Sequence, residues 1–432
     1  MDKIVTITNK KLSGEIEIPS DKSISHRAIM LSSMTQNAKI KIHNFSKGAD
    51  CLSTLNLYKN LGVEINYLDE KTIELKTCKE LLAPSAELNC GNSGTTMRLS
   101  SGILVGQKFN SVLVGDESLS KRPMSRIIKP LTLMGAEIIS ENNSAPLNII
   151  GDKKLNGIEY FSDLASAQVK SCVLLAGLNA IGETSFTEPY LSRNHTENML
   201  KHFGVSISTQ KTDKGHKTSI SKSEFHPKDL HICGDISSAT YFIIAALIVP
   251  NSKVIIKNVG LNPTRSGIID IVKRMGGNIE ILDQKLVCEE LVGDIKVCHS
   301  ELNSCTIEKE DIPRLIDELP AIAVLATQAN GQTIIKDAQD LRNKETDRIS
   351  NTVNELKKLG ANIQETHDGF IINGKTNLIG NVEVNSYQDH RLAMSLYIAG
   401  LICKKEILIK NFEWVNISFP EFESLITKLI IN

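Results

Sequence analysis

The sequence contains few aromatic residues and no excess of charge of either sign. Phe, Trp and Tyr make up 4% of the 432 residues, with a single Trp, which argues against a protein built on base-stacking platforms. The 49 basic and 50 acidic residues leave a formal net charge of −1, so no overall field attracts nucleic acid or a membrane surface. Any binding of anions must therefore be local.

Long apolar runs and paired cysteines are also missing. The longest apolar stretch, YFIIAALIVP at 241–250, is too short to cross a bilayer, and the N-terminal MDKIVTITNK alternates like a strand rather than a signal peptide. The nine cysteines are scattered without a C-x-x-C pair, which excludes the usual zinc and redox spacings and indicates reduced core residues. We expect a cytoplasmic globular protein, long enough for two domains.

A repeat of roughly 72 residues, which is one sixth of the 432-residue chain, organises the rest of the sequence. Six segments combine a small or polar start with a strongly apolar helical run. They are DKSISHRAIMLSSM, GNSGTTMRLSSGILVG, SAQVKSCVLLAGLNA, GDISSATYFIIAALI, DELPAIAVLATQA and YQDHRLAMSLYIAGLI. A helix that is apolar on all sides is typically buried on all sides, so these six are predicted to form the cores.

A second, amphipathic helix recurs in phase and ends at a glycine before an alternating strand. The segments are LYKNLGVEINY, LTLMGAEIIS, LKHFGVSIS, IVKRMGGNIEI and ELKKLGANIQE, with Gly62, Gly135, Gly204, Gly276 and Gly360 at the helix ends. Glycine is the residue that most easily takes the left-handed conformation there. The sixth copy, SFPEFESLITKLIIN, ends before its strand, and we expect the N-terminal KIVTITN to complete that unit.

The repeats predict an α/β (α+β) fold of two domains, each with three copies of a β-α-β-α-β-β type unit around buried helices. One domain is predicted at residues 20–234, and residues 1–19 together with 235–432 form the other. The chain would cross between the domains near residues 18–21 and 232–236. The active site is expected in the cleft between them.

Cationic and polar residues are concentrated at the starts of the repeated helices, where backbone N–H groups favour anions. They are Lys22, Ser23, His26 and Arg27; Asn92, Ser93, Gly94 and Thr95; Lys121 and Arg122; Ser166 and Gln168; Arg193; Arg265; Lys344 and Arg348; and His390 and Arg391. A single exposed Arg would be an ordinary surface residue. Recurrence at equivalent positions instead predicts one small polyanionic ligand or two anionic ligands, because Arg and Lys suit carboxylate and phosphate.

Two acidic residues, Asp317 and Glu345, lie among these cations. Carboxylates are poor ligands for anions and are better explained as acid and base groups, which indicates an enzyme. Other features stay open. Ser237 and Ser238 are equally explained by helix capping, GNSGTT lacks the spacing of a nucleotide P-loop, and His390 is also consistent with a core histidine.

Eight motifs, in order from residue 19 to residue 395, resemble the 5-enolpyruvylshikimate-3-phosphate synthase family: PSDKSISHR, GNSGTTMRL, SKRPMSRIIKPLTLMGA, SAQVKS, SRNHTENML, GDISSA, LRNKETDRI and DHRLAMSL. The resemblance implies the enolpyruvyl transferase fold, an inside-out α/β barrel in each domain. It also implies a carboxyvinyltransferase of the shikimate pathway of aromatic amino-acid biosynthesis, the target of glyphosate. That enzyme moves the enolpyruvyl group of phosphoenolpyruvate to the 5-hydroxyl of shikimate 3-phosphate and releases phosphate, with no metal or organic cofactor. We expect a monomer.

The resemblance also implies site residues, carried over motif by motif. Shikimate 3-phosphate would contact Lys22, Ser23, Arg27, Ser166, Ala167, Gln168, Arg193, Asp317 and Lys344. Phosphoenolpyruvate would contact Lys22, Asn92, Gly94, Arg122, Gln168, Arg348, His390 and Arg391. Asp317 would take the proton of the 5-hydroxyl, and either Glu345 or Lys22 would protonate the methylene carbon of phosphoenolpyruvate.

Two departures from the family pattern and two alternatives complete the expectations. Ser418 in ISFPEF stands where some members carry a Lys, and Ala167 in SAQ removes a hydroxyl that others have. A UDP-N-acetylglucosamine enolpyruvyl transferase would usually begin with a K-N-A type motif and carry a reactive Cys in a cationic loop, and neither is found. A binding module without catalysis would not need Asp317 or Glu345.

Overall fold

Each of the six repeats contributes two helices in the computed structural model, which describes residues 1–6 and 10–431. The first helix of each repeat is the buried one. These helices are α1 (Lys22–Ser32), α3 (Gly94–Leu104), α6 (Ala167–Gly177), α8 (Ile236–Ile248), α11 (Leu319–Thr327) and α13 (His390–Gly400). All residues of α11 and α13 are buried, as their continuous apolar sequences predicted.

The second helix of each repeat is amphipathic, with one buried face and one exposed face. These helices are α2 (Ala49–Asn60), α5 (Ser125–Leu133), α7 (His195–His202), α9 (Gly267–Arg274), α12 (Arg348–Lys358) and α14 (Phe422–Leu429). The short helices α4 (Glu117–Ser120) and α10 (Asp311–Leu315) and two 3₁₀ turns (Gln339–Asn343 and Phe412–Ile417) lie between them.

The strands of the described residues form six small sheets. Three of the sheets lie in the first three repeats, before residue 233. The first sheet contains β3 (Lys39–His43), β4 (Glu64–Tyr67), β5 (Ile73–Lys76) and β14 (Leu230–His231), and the second contains β6 (Leu88–Asn89), β7 (Ser111–Val114), β8 (Glu137–Ile139) and β9 (Leu147–Ile150). The third contains β10 (Glu159–Phe161), β11 (Thr184–Glu188), β12 (Ile207–Thr212) and β13 (Gly215–Ile220). The fourth sheet contains β2 (Lys11–Glu17), β15 (Lys253–Gly260), β16 (Asn278–Val287), β17 (Glu290–Cys298) and β25 (Ile430–Ile431). The fifth contains β18 (Leu302–Asn303), β19 (Thr306–Ile307), β20 (Ala329–Ile335), β21 (Asn362–Glu365) and β22 (Phe370–Gly374). The sixth contains β1 (Lys3–Val5), β23 (Val382–Asn385) and β24 (Ile407–Lys410).

One pairing pattern recurs in these sheets. In the second repeat β6 runs parallel to β7, β7 is antiparallel to β9, and β9 is antiparallel to β8. The third repeat orders its four strands in the same way. Strands such as β7 and β9 alternate between buried and half-buried residues, so each sheet presents one side to the core.

The chain forms two compact units. Unit 1 contains Met1–Pro19, Cys233–Lys285 and Leu291–Asn432, and unit 2 contains Ser20–Ile232 and Leu286–Glu290. Unit 2 thus includes the five residues at the turn between β16 and β17, which the sequence had assigned to the second domain. The reason is local contact: His195 Nδ1 lies 2.9 Å from Glu290 Oε1, and the His231 amide lies 3.4 Å from Cys288 Sγ.

The buried helices pack against one another within each unit. In unit 1, α8, α11 and α13 are in mutual contact, and in unit 2 α3 contacts both α1 and α6. Gly102 allows the close approach of α3 to α6, because a Cβ at this position would lie 2.2 Å from the Cys172 carbonyl oxygen. Loss of that glycine would force the two helices apart.

The helix-ending glycines behave as the repeat predicted. All five, Gly62, Gly135, Gly204, Gly276 and Gly360, lie two residues beyond the end of a second helix and have φ between 79° and 101°. This is the conformation that ends a helix and satisfies its last carbonyl groups. The prediction from sequence is confirmed at each position.

The two termini meet in unit 1. Lys3–Val5 pairs antiparallel with β24, as expected for the start of KIVTITN, whereas Ile7, Thr8 and Asn9 of that segment lie outside the described residues. The expectation that the sixth repeat lacks its final strand is wrong, because Ile430 and Ile431 form β25 and pair with the start of β2. The two-residue strand was too short to recognise by alternation.

No helix in the described part of the chain is long and apolar enough to cross a membrane. The nine cysteines all carry free thiols, and five of them are buried. Among residues 1–6 and 10–431, no three His, Cys, Asp or Glu side chains converge in a way that could hold a metal ion.

Candidate active site

The starts of the buried helices are capped by the chain itself, which corrects one expectation. In five of the six buried helices, the side chain of the residue before the helix accepts a hydrogen bond from a first-turn N–H. These residues are Asp21, Ser93, Ser166, Asp235 and Asp389. These caps use N–H groups that the sequence analysis had assigned to anions. Each cap engages one or two of the first-turn N–H groups.

Two groups of predicted site residues are brought together, one in each unit. We define the unit 2 cluster as Lys22, Ser23, Arg27, Asn92, Gly94, Arg98, Arg122, Ser166, Ala167, Gln168 and Arg193. We define the unit 1 cluster as Asp317, Glu318, Lys344, Glu345, Arg348, Asp389, His390 and Arg391. Each is described separately.

Arg27 lies at the centre of the unit 2 cluster and is almost fully buried. Its guanidinium donates to Thr196 Oγ1 at 2.7 Å, to Ser171 Oγ at 3.0 Å and to the Ser23 carbonyl at 2.9 Å. Burial lowers the pKa of Arg27 to about 10, opposed by Glu197, while neighbouring Arg193 lowers it further. A buried arginine with neutral hydrogen-bond partners retains its charge for an anionic ligand.

The neighbours of Arg27 on α1 differ from the sequence expectation in one respect. Lys22 Nζ lies 3.0 Å from Asp50 Oδ2 at the first turn of α1. His26 does not add to the positive charge, because burial lowers its pKa to about 3 and its Nδ1 lies 2.6 Å from Thr54 Oγ1. His26 is therefore a neutral core residue at neutral pH.

The start of α3 carries the next part of the unit 2 cluster. Arg122 donates to Asn92 Oδ1 at 2.7 Å and to Ser118 Oγ at 3.3 Å. A Cβ on Gly94 would lie 3.6 Å from Arg122 Nη1 and 2.9 Å from Arg98 Nη1. The missing side chain of Gly94 thus opens space beside two guanidinium groups.

Arg98, which the sequence analysis did not single out, lies among the predicted site residues. It donates to Gln168 Oε1 at 2.6 Å, and Gln168 Nε2 donates in turn to Thr95 Oγ1 at 3.0 Å. The signal was available: Arg98 follows Gly94 by four residues, so the two share one face of α3. These bonds join the start of α6 to α3.

The remaining predicted residues of unit 2 lie at the starts of α6 and α7. Ser166 Oγ caps α6 through the Val169 amide at 3.5 Å, and Ala167 is the first residue of that helix. Arg193 precedes α7 and is partly exposed. Lys170, on α6, is fully buried between Glu188 and Glu197, and its Nζ lies 2.8 Å from Oε1 of each.

In the unit 1 cluster the cations contact carboxylates. Arg348 Nη2 lies 2.7 Å from Glu345 Oε2, and Arg348 Nε lies 2.7 Å from Asp389 Oδ2. Asp317 Oδ1 lies 3.3 Å from Lys344 Nζ and 3.5 Å from Arg348 Nη1. The expected base and one of the two expected acids are thus held by the same guanidinium.

The charges in this cluster stabilise one another. Burial would lower the pKa of Arg348, but Asp389, Glu345 and Asp317 raise it above its ordinary value. Burial would raise the pKa of Asp389, but Arg348 lowers it below its ordinary value. Both groups therefore remain ionised across the neutral range.

Arg391 and His390 begin α13, next to their cap residue Asp389. Arg391 Nη1 lies 3.7 Å from Glu318 Oε1, and although burial opposes it, Asp317 raises the pKa of Arg391. His390 is 7% exposed.

Glu318 is the second residue that the sequence reasoning missed. It is 1% exposed and accepts from Arg265 at 3.0 Å and 3.1 Å, and Ser237 hydrogen-bonds to both Glu318 and Arg265. Arg265, one of the recurrent cations, is therefore engaged by an acidic partner. The sequence offered no signal for this pairing, since 53 residues separate Arg265 and Glu318.

Ser418, at the position where some family members carry a Lys, brings no cation to the site. Its hydroxyl is buried and makes no hydrogen bond within the described residues. Compared with the family members that carry a Lys here, this chain therefore has one positive charge fewer at residue 418.

The chain is similar over almost its whole length to proteins of known family. The profile of the family EPSP synthase (3-phosphoshikimate 1-carboxyvinyltransferase) matches residues 7–426. The 3-phosphoshikimate 1-carboxyvinyltransferase of Brevibacillus brevis is 48% identical over 427 residues, covering 97% of this chain and 98% of the relative. That of Thermodesulfovibrio yellowstonii is 50% identical, covering 97% and 98%.

Solved structures show the same fold. The EPSP synthase of Acinetobacter baumannii matches with a TM-score of 0.89 at 39% identity, over 100% of this chain and 100% of that chain. The enolpyruvyl transferase NikO of Streptomyces tendae matches with a TM-score of 0.78 at 16% identity, over 99% and 97%, which shows the fold alone. The architecture of repeated small sheets around buried helices is that of the enolpyruvyl transferases.

This chain belongs to the EPSP synthase (3-phosphoshikimate 1-carboxyvinyltransferase) family. The family, the fold class and the carboxyvinyltransferase activity in the shikimate pathway that the eight motifs implied are confirmed. The UDP-N-acetylglucosamine alternative is not supported.

Proposed function

We propose that the two clusters divide the work of a single reaction on shikimate 3-phosphate and phosphoenolpyruvate. The unit 2 cluster binds anionic groups, and the unit 1 cluster adds the acid and base groups. The observation that carries this proposal is Asp317, which lies 3.3 Å from Lys344 and 3.5 Å from Arg348, with Glu345 2.7 Å from the same Arg348. Two carboxylates held beside cations suit proton transfer between anionic substrates.

Shikimate 3-phosphate would be held mainly by side chains of unit 2. Arg27, Arg193 and Lys22 supply positive charge, Ser23, Ser166 and Gln168 supply hydrogen bonds, and Ala167 makes a contact without a hydroxyl. Arg27 supports this role because its protein partners are hydroxyl and carbonyl groups. From unit 1, Lys344 would contact the same substrate and Asp317 its 5-hydroxyl.

Phosphoenolpyruvate would be bound by cations from both clusters. Lys22 and Arg122 from unit 2 and Arg348 and Arg391 from unit 1 would neutralise its phosphate and carboxylate, with Asn92, Gln168 and His390 as further contacts. Gly94 supports the role of the α3 start, because a side chain there would crowd Arg98 and Arg122. Arg suits these groups because its planar fork binds two oxygens at once.

The chemistry is addition followed by elimination. A proton from Glu345 or Lys22 moves to the methylene carbon of phosphoenolpyruvate, and the neighbouring carbon becomes electrophilic. The 5-hydroxyl oxygen bonds to that carbon while Asp317 takes its proton, giving a tetrahedral intermediate that still carries phosphate. The group that gave the proton, Glu345 or Lys22, then takes a proton back from the methyl group while the bond between carbon and the phosphate oxygen breaks, which restores the double bond and releases phosphate. Fixed cations stabilise the charge that develops at each step.

The test is phosphate release by the purified full-length chain. Shikimate 3-phosphate and phosphoenolpyruvate together should release inorganic phosphate, whereas either alone should release none. Release that requires UDP-N-acetylglucosamine in place of shikimate 3-phosphate would contradict the assignment of the acceptor.

We also propose that a single chain is the working form, because one chain supplies both clusters. Sedimentation velocity during turnover should then give the mass of one chain, 47.5 kDa. Specific activity that rises with protein concentration would contradict this.

A further inference from the structure

A strained turn leads into α13, immediately before the residues that begin the helix. Tyr387 and Gln388 have φ of 51° and 63°, in the left-handed region that residues other than Gly and Asn rarely adopt. Cys288 and Glu289 show similar values, 49° and 63°, but they join the neighbouring strands β16 and β17, where a tight hairpin turn requires this backbone. The Tyr387 turn joins a strand to a helix, so hairpin geometry does not explain it.

Glu355 of α12 holds this turn in place. The carboxylate is fully buried and accepts the Tyr387 hydroxyl at 2.7 Å through Oε1 and the Asn385 amide at 2.9 Å through Oε2. Lys358 Nζ contacts both oxygens at 2.9 Å, which balances the buried charge. Burial and Glu355 raise the pKa of Tyr387 to about 12, so its hydroxyl remains a donor throughout the neutral range.

The turn and α12 meet a second time through Asp389, the residue after Gln388. Asp389 Oδ1 accepts the Arg391 amide at 2.8 Å, and Asp389 Oδ2 accepts Arg348 Nε at 2.7 Å. Arg348 and Glu355 lie seven residues apart on α12, about two helical turns. A single contact would allow the start of α13 to tilt relative to α12. The two contacts, Tyr387 to Glu355 and Asp389 to Arg348, together fix the orientation of the start of α13 on α12.

We propose that Tyr387 and Glu355 are positioning residues that fix the separation of the Arg348 and Arg391 guanidinium groups and so determine the affinity for phosphoenolpyruvate. The inference rests on the proposed function, in which both arginines contact that substrate. The Glu355 carboxylate then holds the strained backbone of Tyr387 and Gln388 in place, and this backbone sets the orientation of α13. Neither Tyr387 nor Glu355 contacts substrate itself.

The first experiment removes only the hydroxyl. Tyr387→Phe should raise the KM for phosphoenolpyruvate about tenfold and leave the KM for shikimate 3-phosphate within about twofold. The matched control is Tyr397→Phe, which removes a buried hydroxyl from α13 itself, where the ring packs on Phe412 and Phe422, away from the turn. The control should change neither KM. A lower melting temperature for Tyr387→Phe with both KM values unchanged would overturn the proposal.

A second variant covers the case in which Tyr387→Phe does not fold. Glu355→Gln keeps one acceptor oxygen of the two, so it should raise the KM for phosphoenolpyruvate by a smaller factor and again spare shikimate 3-phosphate. An equal rise in both KM values would mean general loosening of unit 1 and would overturn the proposal.

Arg391→Lys separates failure of this inference from failure of the proposed function. If Arg391→Lys raises the KM for phosphoenolpyruvate and Tyr387→Phe does not, the positioning role alone is wrong. If Arg391→Lys leaves that KM unchanged, the proposed substrate contact of Arg391 is wrong, and the positioning role falls with it.

Discussion

Two arginines in each cluster are held in different ways. In unit 2, Arg27 and Arg122 donate to hydroxyl, amide and carbonyl oxygens. In unit 1, Arg348 and Arg391 face the carboxylates of Asp389, Glu345 and Glu318. Neutral partners leave the positive charge of a guanidinium available to an anion, whereas acidic partners neutralise it and keep carboxylates within the cluster. The difference explains how a chain of net charge −1 can bind two anions and still transfer protons.

The largest expected effect tests the acid and base side of this comparison. Asp317→Asn keeps the size of the side chain but removes its basicity, so kcat should fall about a thousandfold while binding of shikimate 3-phosphate persists. Phosphate release at saturating substrate and calorimetric titration measure the two quantities. Asp270→Asn is the control, because Asp270 pairs with Arg314 on the surface of unit 1. A kcat equal to that of the control would remove Asp317 from the mechanism.

The next prediction compares one arginine from each cluster. Arg27→Met should weaken shikimate 3-phosphate about 10- to 100-fold with little loss of stability, because Ser171 and Thr196 still hydrogen-bond to each other at 2.7 Å. Arg348→Met should cost about 3 to 5 kcal/mol of unfolding free energy, because it leaves the buried Asp389 carboxylate without its guanidinium.

Urea unfolding measures the stability difference between the two arginine variants. Arg314→Met, at a partly exposed ion pair with Asp270, should cost no more than about 1 kcal/mol and serves as the control. Equal destabilisation by Arg27→Met and Arg348→Met would show that the two clusters do not differ in the way described.

The third prediction concerns acid. His26 is neutral in the folded state with a pKa of about 3, against an ordinary value of 6.5, so between these values the unfolded chain binds a proton that the folded chain does not. Stability should therefore fall as the pH is lowered below 6.5, by up to about 1.4 kcal/mol per pH unit. The pKa of Asp389 is lowered from 3.8, so its contribution is lost only at lower pH.

Hydrogen exchange followed by mass spectrometry at pH 4 to 7 should locate this effect. After correction for intrinsic exchange rates, amides around α1 in unit 2 should lose protection first. His26→Gln should flatten the pH dependence of the melting temperature, whereas His367→Gln, at an exposed position of unit 1, should not. An unchanged slope in His26→Gln would assign the acid sensitivity to other groups.

The smallest expected effect is at Gly94. Gly94→Ala places a methyl group 2.9 Å from Arg98 Nη1 and 3.6 Å from Arg122 Nη1, so the phosphoenolpyruvate side of the unit 2 cluster must shift. If phosphoenolpyruvate and glyphosate, the inhibitor that the family resemblance implies, bind beside Gly94, glyphosate should inhibit about tenfold less well, with the KM for shikimate 3-phosphate unchanged. Equal weakening of both ligands in steady-state inhibition assays would reduce Gly94 to a backbone role.

Local features of the fold were predictable from the sequence. The two helix families, the left-handed glycines after them and the buried character of α8, α11 and α13 follow from periodicity and composition within about 15 residues. The short strand β25 was missed because two residues carry no detectable alternation. The helix caps were misjudged because Asp21, Asp235 and Asp389 were not recognised as partners of the first-turn amides.

The candidate site was only partly predictable. Motif resemblance predicted roles for Lys22, Asp317 and Glu345, and in the structure Asp317 and Glu345 both contact Arg348. It did not single out Arg98 or Glu318, and the charge pattern at the helix starts had included His26 and Arg265 among the cations. Burial makes His26 neutral, and Glu318 engages Arg265, and both effects depend on neighbours far away in the chain.

The amino-acid sequence by itself determined the six-fold repeat, the helix ends and the family, because these depend on short-range patterns and on motif order. The tertiary structure alone decided which cations are balanced by carboxylates, that His26 is neutral, and which buried acid holds the turn before α13. Charge and pKa depend on burial and on atoms within a few ångströms of each other, and the fold sets those distances between residues that are remote in the chain.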